Sequence, residues 1–353
     1  MRKFAVFSGF LGSGKTTTMM ALTRYFTSHH GKAAMISNDL GDGVTLADDR
    51  LARLGGVNAS QITDECICFC HDVLTDRLNA YFDSGCVLVV SDIPGFGVGA
   101  LEHVYHGLSK KYPDRFELGP FTVLIEPRNV ELLRNGQGGD MATILRAQLM
   151  EADLIVLNKC DLLEAAELET DRSWLAEHYP QTRVIAISAA TGQGLEELSQ
   201  AMMQGKASMR HPDIDYEDKD LQNAMDQLTE YYLEYAAQVC CNDFDGTEYL
   251  SDIAHMVQAE LKAGGYEIPH MKLLAWEAEG DYGKVDLLGV DRPVEITRRF
   301  VNPCTDIAVV LNANAACPAA VLDEIMIGAT EAASQTYQLE IRLFKKECFN
   351  LGE

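Results

Sequence analysis

Positive charge is what this 353-residue chain has least of: 29 lysines and arginines stand against 53 aspartates and glutamates, a formal net charge of −24. That balance opposes binding to a phosphate backbone or adsorption to anionic lipid, so neither nucleic acid nor a membrane surface is expected as a partner. The deficit is uneven, with 19 basic and 26 acidic residues over 1–210 but 10 and 27 over 211–353, which makes the C-terminal part the more acidic. No apolar run approaches the roughly 20 residues of a membrane span, and there is no internal repeat, low-complexity tract or His-rich run. Ten cysteines are too sparse for a disulfide scaffold at this length, and three of them cluster at 66, 68 and 70. This suggests thiol chemistry in a reducing compartment, with the cytoplasm as the expected location. The apolar start, Phe4-Ala5-Val6-Phe7 behind Arg2 and Lys3, is interrupted by Gly12-Ser13-Gly14-Lys15 before a signal-peptide cleavage site could follow.

What is present is enough apolar material, 47% of residues, for two cores. Over the first 200 residues, short β-rich runs alternate with segments of helical period. The runs are Phe4–Phe7, Ala33–Ile36, Val87–Val90, Phe121–Ile125, Leu154–Leu157 and Val184–Ile187. The alternation predicts an α/β domain with a mostly parallel sheet, and ligands at the carboxyl ends of its strands. A polar stretch over 206–218 reads as a linker, dividing a domain over 1–205 from a smaller α+β domain over 219–353. In the latter, helices are expected at 219–238, 247–263 and 318–334. Strands are expected at Lys272–Trp276, Lys284–Leu288, Val294–Phe300, Ile307–Leu311 and Leu339–Phe344.

Gly9-Phe10-Leu11-Gly12-Ser13-Gly14-Lys15-Thr16 fits G-x-x-x-x-G-K-[ST] and sits between a predicted strand and a helical stretch opening at Thr17, the context its mechanism needs. Backbone N–H groups there curl around phosphate oxygens. Lys15 reaches the β- and γ-phosphates and the Thr16 hydroxyl holds Mg²⁺. The expected fold is therefore a P-loop NTPase. Asp92, ending an apolar strand, can support Mg²⁺, and Gly95 can bring an N–H to a γ-phosphate. Asp39 and Asp42 are further acids for the Mg²⁺ shell or for orienting water, while Asp48-Asp49 read as a solvated turn. Asn158-Lys159-Cys160-Asp161 completes N-K-x-D: one carboxylate, Asp161, accepts both N1–H and N2–H of guanine and repels the N1 acceptor of adenine, favouring GTP and GDP over adenine nucleotides. Lys159 lies along the base, Asn158 ties the loop to the phosphate loop, and Ser188-Ala189-Ala190 is the second base loop.

These motifs, with Asn38-Asp39-Leu40-Gly41-Asp42, Cys66-Ile67-Cys68, and Gln148 and Ala152-Asp153 leading into Asn158–Asp161, resemble the metallochaperone GTPases of the CobW type, relatives of the hydrogenase- and urease-maturation GTPases. The resemblance covers about residues 3–200. It implies a GTP-driven switch coupled to delivery of a metal or metallocofactor to a client metalloprotein, and the expected intrinsic hydrolysis is slow. An alternative is a nucleotide-switched chaperone for a corrinoid or other metalloenzyme that carries no metal itself. A thiol redox sensor is a third reading. The chain departs from the family in having Cys66-Ile67-Cys68-Phe69-Cys70 where Cys-x-Cys-Cys is usual, and Asp92-Ile93-Pro94-Gly95 where a Glu followed by small residues is usual.

The three cysteines at i, i+2 and i+4 share one side of an extended segment, and a bend would bring their sulfurs around one soft ion such as Zn²⁺ or Co²⁺; reversible oxidation and plain packing stay open. Cys240-Cys241 read as a helix end, His29-His30 as the close of the first helix, and His103 with His106 as a solvated helix face. Phe96 follows Gly95 where a water-orienting Gln would stand, and neither Arg128 nor Arg134 is placed as an arginine finger. This leaves room for a partner or a homodimer in hydrolysis.

Overall fold

A computed structural model describes residues Arg2–Gly352. The chain divides into two compact units: Met1–Leu40 with Gly55–Ala224, and Gly41–Leu54 with Met225–Glu353.

The first unit is built on eight strands: β1 (Lys3–Ser8), β2 (Ala33–Asn38), β3 (Ala59–Ile62), β4 (Leu88–Asp92), β5 (Glu117–Leu118), β6 (Thr122–Ile125), β7 (Leu154–Leu157) and β8 (Arg183–Ala186). Their order is β3-β2-β4-β1-β6-β7-β8, with β5 added beside β1, and every pairing is parallel. β1, β2, β4, β6 and β7 are buried along their whole length, which is why they read as unbroken apolar runs. The chain leaves β1 toward β2 on one side and later fills β6, β7 and β8 on the other, so the order reverses around β1, where a ligand crevice opens at the carboxyl ends. Lys3 is fully buried. Its ammonium donates to the carbonyls of Met203 and Gly205 at 2.8 and 2.7 Å and pairs with Glu117 at 2.9 Å.

The second unit is a six-stranded antiparallel sheet of β9 (Thr229–Val239), β10 (Glu267–Trp276), β11 (Tyr282–Leu287), β12 (Glu295–Arg298), β13 (Asp306–Ala316) and β14 (Leu339–Asn350), in the order β12-β11-β10-β13-β9-β14. Alternate residues such as Tyr231, Leu233, Tyr235, Leu273 and Val309 form one core with the helices Gly246–Gly264 and Ala319–Thr336. Tyr232, Leu274 and Val310, of opposite parity, are covered by Val44, Leu46 and Ala47.

Several expectations are corrected. Helix 219–238 stops at Asp226 and the chain continues as β9. The tyrosines of Tyr231–Tyr235 fit both periods, and β-favouring aromatics packing on alternate faces decide for a strand. Cys240 and Cys241 thus follow a strand, exposed. Asp48 and Asp49 open the helix Ala47–Leu54 instead of a solvated turn: Asp48 accepts from Lys272 at 2.7 Å, and the buried Asp49 from Arg53 at 2.7 Å. The stretch read as a linker packs on the first unit, where the Ala207 N–H bonds the Leu118 carbonyl at 3.0 Å.

Candidate functional site

β1 runs directly into Gly9–Gly14, and Gly14, left-handed at φ 89°, opens the helix Lys15–His29. That helix has no side-chain cap and no acid in its first turn, so the amides leading into Lys15, Thr16 and Thr17 end in a positive, uncapped N-terminus. The Ser13 hydroxyl is buried without a hydrogen-bond partner, and Lys15 curls back so that Nζ donates to the Gly9 carbonyl at 2.6 Å. An uncapped terminus, a buried orphan hydroxyl and an ammonium at one loop form a cradle that fits phosphate oxygens. Gly9 and Gly12 also take positive φ, at 133° and 78°.

Two glycines are fixed by contact. A Cβ on Gly14 would stand 2.3 Å from the Asn158 side-chain nitrogen, and one on Gly95 would stand 2.5 Å from Leu11. The loops after β7 and β4 therefore press against the phosphate loop. Asn158 is buried at the end of β7; its Nδ2 donates to the Ser13 carbonyl at 2.9 Å, and its Oδ1 accepts the Ala189 N–H at 3.1 Å. One side chain thus joins the phosphate loop, the N-K-x-D loop and the Ser188–Ala190 loop. Asp161 is exposed, as is Ala190, while Ser188 is buried and its hydroxyl accepts the Thr191 N–H. Lys159, left-handed at φ 60°, is held by the buried Glu126 at 2.5 Å. Sequence reasoning missed Glu126; its signal was an acid immediately after the fourth predicted strand.

Asp92 is buried and pairs in register with Phe7 of β1, which sets it two residues from the start of the phosphate loop. With the Thr16 hydroxyl it offers the hard oxygen donors that Mg²⁺ takes. Gly95 is held from behind by Gln148, whose Nε2 donates to the carbonyls of Gly95 and Gly97, both at 3.0 Å. Asp39 follows β2 and its carboxylate accepts the Leu40 N–H. Asp42, expected beside it, belongs to the second unit, where its N–H donates to Glu347 at 2.7 Å.

The thiol segment is a tight turn, not an extended strand: the Cys66 carbonyl accepts the N–H groups of Phe69 and Cys70, and Cys70 leads into the helix His71–Asp83. The turn gathers two sulfurs, not three. Cys66 and Cys68 lie 2.9 Å apart, whereas the Cys70 sulfur faces the carbonyls of Glu65 and Cys66. The hydrogen bond shared between the two sulfurs lowers the Cys66 pKa, against burial and the opposing fields of Asp39 and Asp92, and raises that of Cys68 well above the thiol range. Burial pushes Cys70 up to about 11. Asn38 clamps this turn to Asp92: its N–H donates to Asp92 Oδ1, its Oδ1 accepts the Ile67 N–H, and its Nδ2 donates to the carbonyls of Ile62 and Glu65, all at 3.0–3.1 Å.

Residues 3–186 match the family model for the CobW/HypB/UreG nucleotide-binding domain. The chain belongs to this family. Similar solved structures include HypB from Helicobacter pylori in complex with nickel, 17% identical over 59% of this chain and 91% of that one, with a TM-score of 0.43. Another is the Zn(II)-bound YjiA GTPase from E. coli, 15% identical over 95% and 98%, with a TM-score of 0.36. Comparison with the curated proteins gives no match. Among the described residues of this CobW/HypB/UreG-family chain, no helix is long and apolar enough to cross a membrane.

Proposed function

We propose that this protein is a cytoplasmic GTPase of slow intrinsic turnover that couples its nucleotide state to handling of a metal or metallocofactor for a client metalloprotein. The observation that carries guanine-nucleotide binding is the Asn158 bridge, which fixes the phosphate loop and both base loops as one frame. Asp161, exposed at the rim of that frame, reads the two guanine donors. Lys15 and the amides of Gly12–Thr17 bind and orient the triphosphate, and the Gly95 N–H, steadied through Gln148, meets its γ end. Thr16 and Asp92 would hold Mg²⁺, which when bound neutralises charge building on the transferred phosphoryl group.

The thiol turn connects to that frame through Asn38. Any movement of Asp92 toward a bound nucleotide pulls on the hydrogen bonds that shape Cys66–Cys68, so the sulfur pair is placed to respond to nucleotide state. Cys66 and Cys68 supply two thiolates for Zn²⁺ or Co²⁺, and a client or a second copy completes the shell. Competition binding with GTP, XTP and ATP tests the first half: Asp161→Asn shifts preference toward xanthine, and an unchanged order refutes the base assignment. For the second half, Co²⁺ affinity is measured with GDP and with a non-hydrolysable GTP analogue. A several-fold difference that Cys68→Ala removes supports coupling; equal affinities refute it.

A further inference from the structure

Glu102, His106 and His211 bring three ligand atoms within 4.8 Å of one another, the one such group of His, Cys, Asp or Glu among the described residues. Sequence spacing points elsewhere, toward His103 with His106 as a solvated face. Tertiary structure replaces that pair. Glu102 and His106 lie four apart on Leu101–His106, wound as a π-helix, and His211 arrives from a segment more than a hundred residues later.

The geometry points to a new site for a borderline divalent ion of the Zn²⁺, Co²⁺ or Ni²⁺ class, and we propose that these three side chains bind it independently of the cysteines. Glu102 Oε2 lies 2.9 Å from His211 Nδ1 and 3.8 Å from His106 Nε2. Donors on a tetrahedral ion with bonds of about 2.1 Å stand about 3.4 Å apart, a value these separations bracket. The two imidazoles stack at 4.4 Å and 25°, and one nitrogen of each lies near the same carboxylate oxygen.

The supports are rigid on both sides. Leu101 N–H donates to the buried Glu151 at 3.3 Å, anchoring the start of the π-helix. Arg210, next to His211, donates to the carbonyls of Met150 and Ala152 at 2.6 and 2.7 Å, and Ser208 bonds Asp153 at 2.5 Å. His106 Nε2 is 3.4 Å from the Arg210 carbonyl, a contact at the limit of hydrogen bonding that an ion would displace. Two nitrogens and one carboxylate leave a coordination position open to water or another ligand, the hallmark of an exchangeable rather than a structural site. An exposed His211 provides the entry.

The experiment uses full-length protein carrying Cys66→Ser, Cys68→Ser and Cys70→Ser, titrated with Co²⁺ and Zn²⁺ by calorimetry and absorption. One equivalent bound with nitrogen and oxygen ligation, no thiolate charge-transfer band, and an affinity at least tenfold weaker on adding His211→Ala are expected. Affinity unchanged by His211→Ala, or no binding by the folded cysteine-free protein, overturns the site. Because Cys68 is buried and its replacement could disturb the turn, histidine ring NMR of the wild-type protein gives a second readout. Signals lost from the His211→Ala and His106→Gln spectra must be those broadened first by substoichiometric Co²⁺. If other histidines broaden first, the group is only an ion pair.

Discussion

The two units place their buried polar groups differently. In the parallel unit, Asn38, Asp92, Glu126 and Asn158 lie at or just beyond strand ends, and their partners are chiefly loop backbone. In the antiparallel unit, Lys284 with Asp286 and Lys272 with Asp48 lie on the face opposite the two helices, and the second pair helps seat a helix inserted between β2 and β3. A site carried by loops at a sheet edge can lose a side chain and keep its core. A polar pair on a sheet face contributes to packing itself.

The sharpest way to break this contrast is Lys15→Ala. On the proposed function, turnover falls ~100-fold or more with the thermal transition unchanged, because the ammonium would serve the nucleotide and not the core; a large drop in stability would show that the loop is structural. Lys3→Ala should act in the opposite sense. It leaves the partly exposed Glu117 without its cation and two part-buried carbonyls without a donor, so chemical denaturation should show a loss of about 3 kcal/mol.

Glu151 sharpens the comparison through pH. Burial pushes its pKa up from 4.5 to about 7. The folded protein therefore keeps a proton that the unfolded chain releases near 4.5, so this contribution is full below pH 4.5 and lost as the pH rises through 7. It amounts to about 3 kcal/mol, and Glu151→Gln should flatten the stability profile over that window. Leu46→Ala, in the inserted segment, should destabilise the antiparallel unit by about 2–3 kcal/mol and raise hydrogen exchange over 41–54 before it does so over Gly246–Gly264. The smallest effect is expected from Lys272→Ala. Its pair with Asp48 keeps some exposure on both side chains, so the same denaturation assay should show about 1 kcal/mol.

Legibility followed the same division. β1, β2, β4, β6 and β7 were readable because burial on both faces leaves continuous apolar runs, and the partly exposed β8 because Val184–Ile187 is itself apolar and β-branched, whereas the four-residue β3 (Ala-Ser-Gln-Ile) carries too little pattern to announce itself. In the antiparallel unit, β9 reads as a helix because its tyrosines satisfy both periods, and only the neighbours β13 and β14 decide between them.

The phosphate loop, the N-K-x-D loop and Asp92 at the end of its apolar strand were legible in the sequence alone, because each is a contiguous run whose pattern depends on local backbone and residue type. Tertiary structure decided whatever needed residues far apart in the chain. Asn38 reaches both Asp92 and the thiol turn, Glu126 holds Lys159, and His211 meets Glu102 and His106. It also folded Cys66–Cys70 into a turn that pairs two sulfurs and turns the third aside. Spacing along a chain fixes which side chains could share a face only once the backbone conformation is known, and that conformation is set by packing against segments the local sequence does not contain.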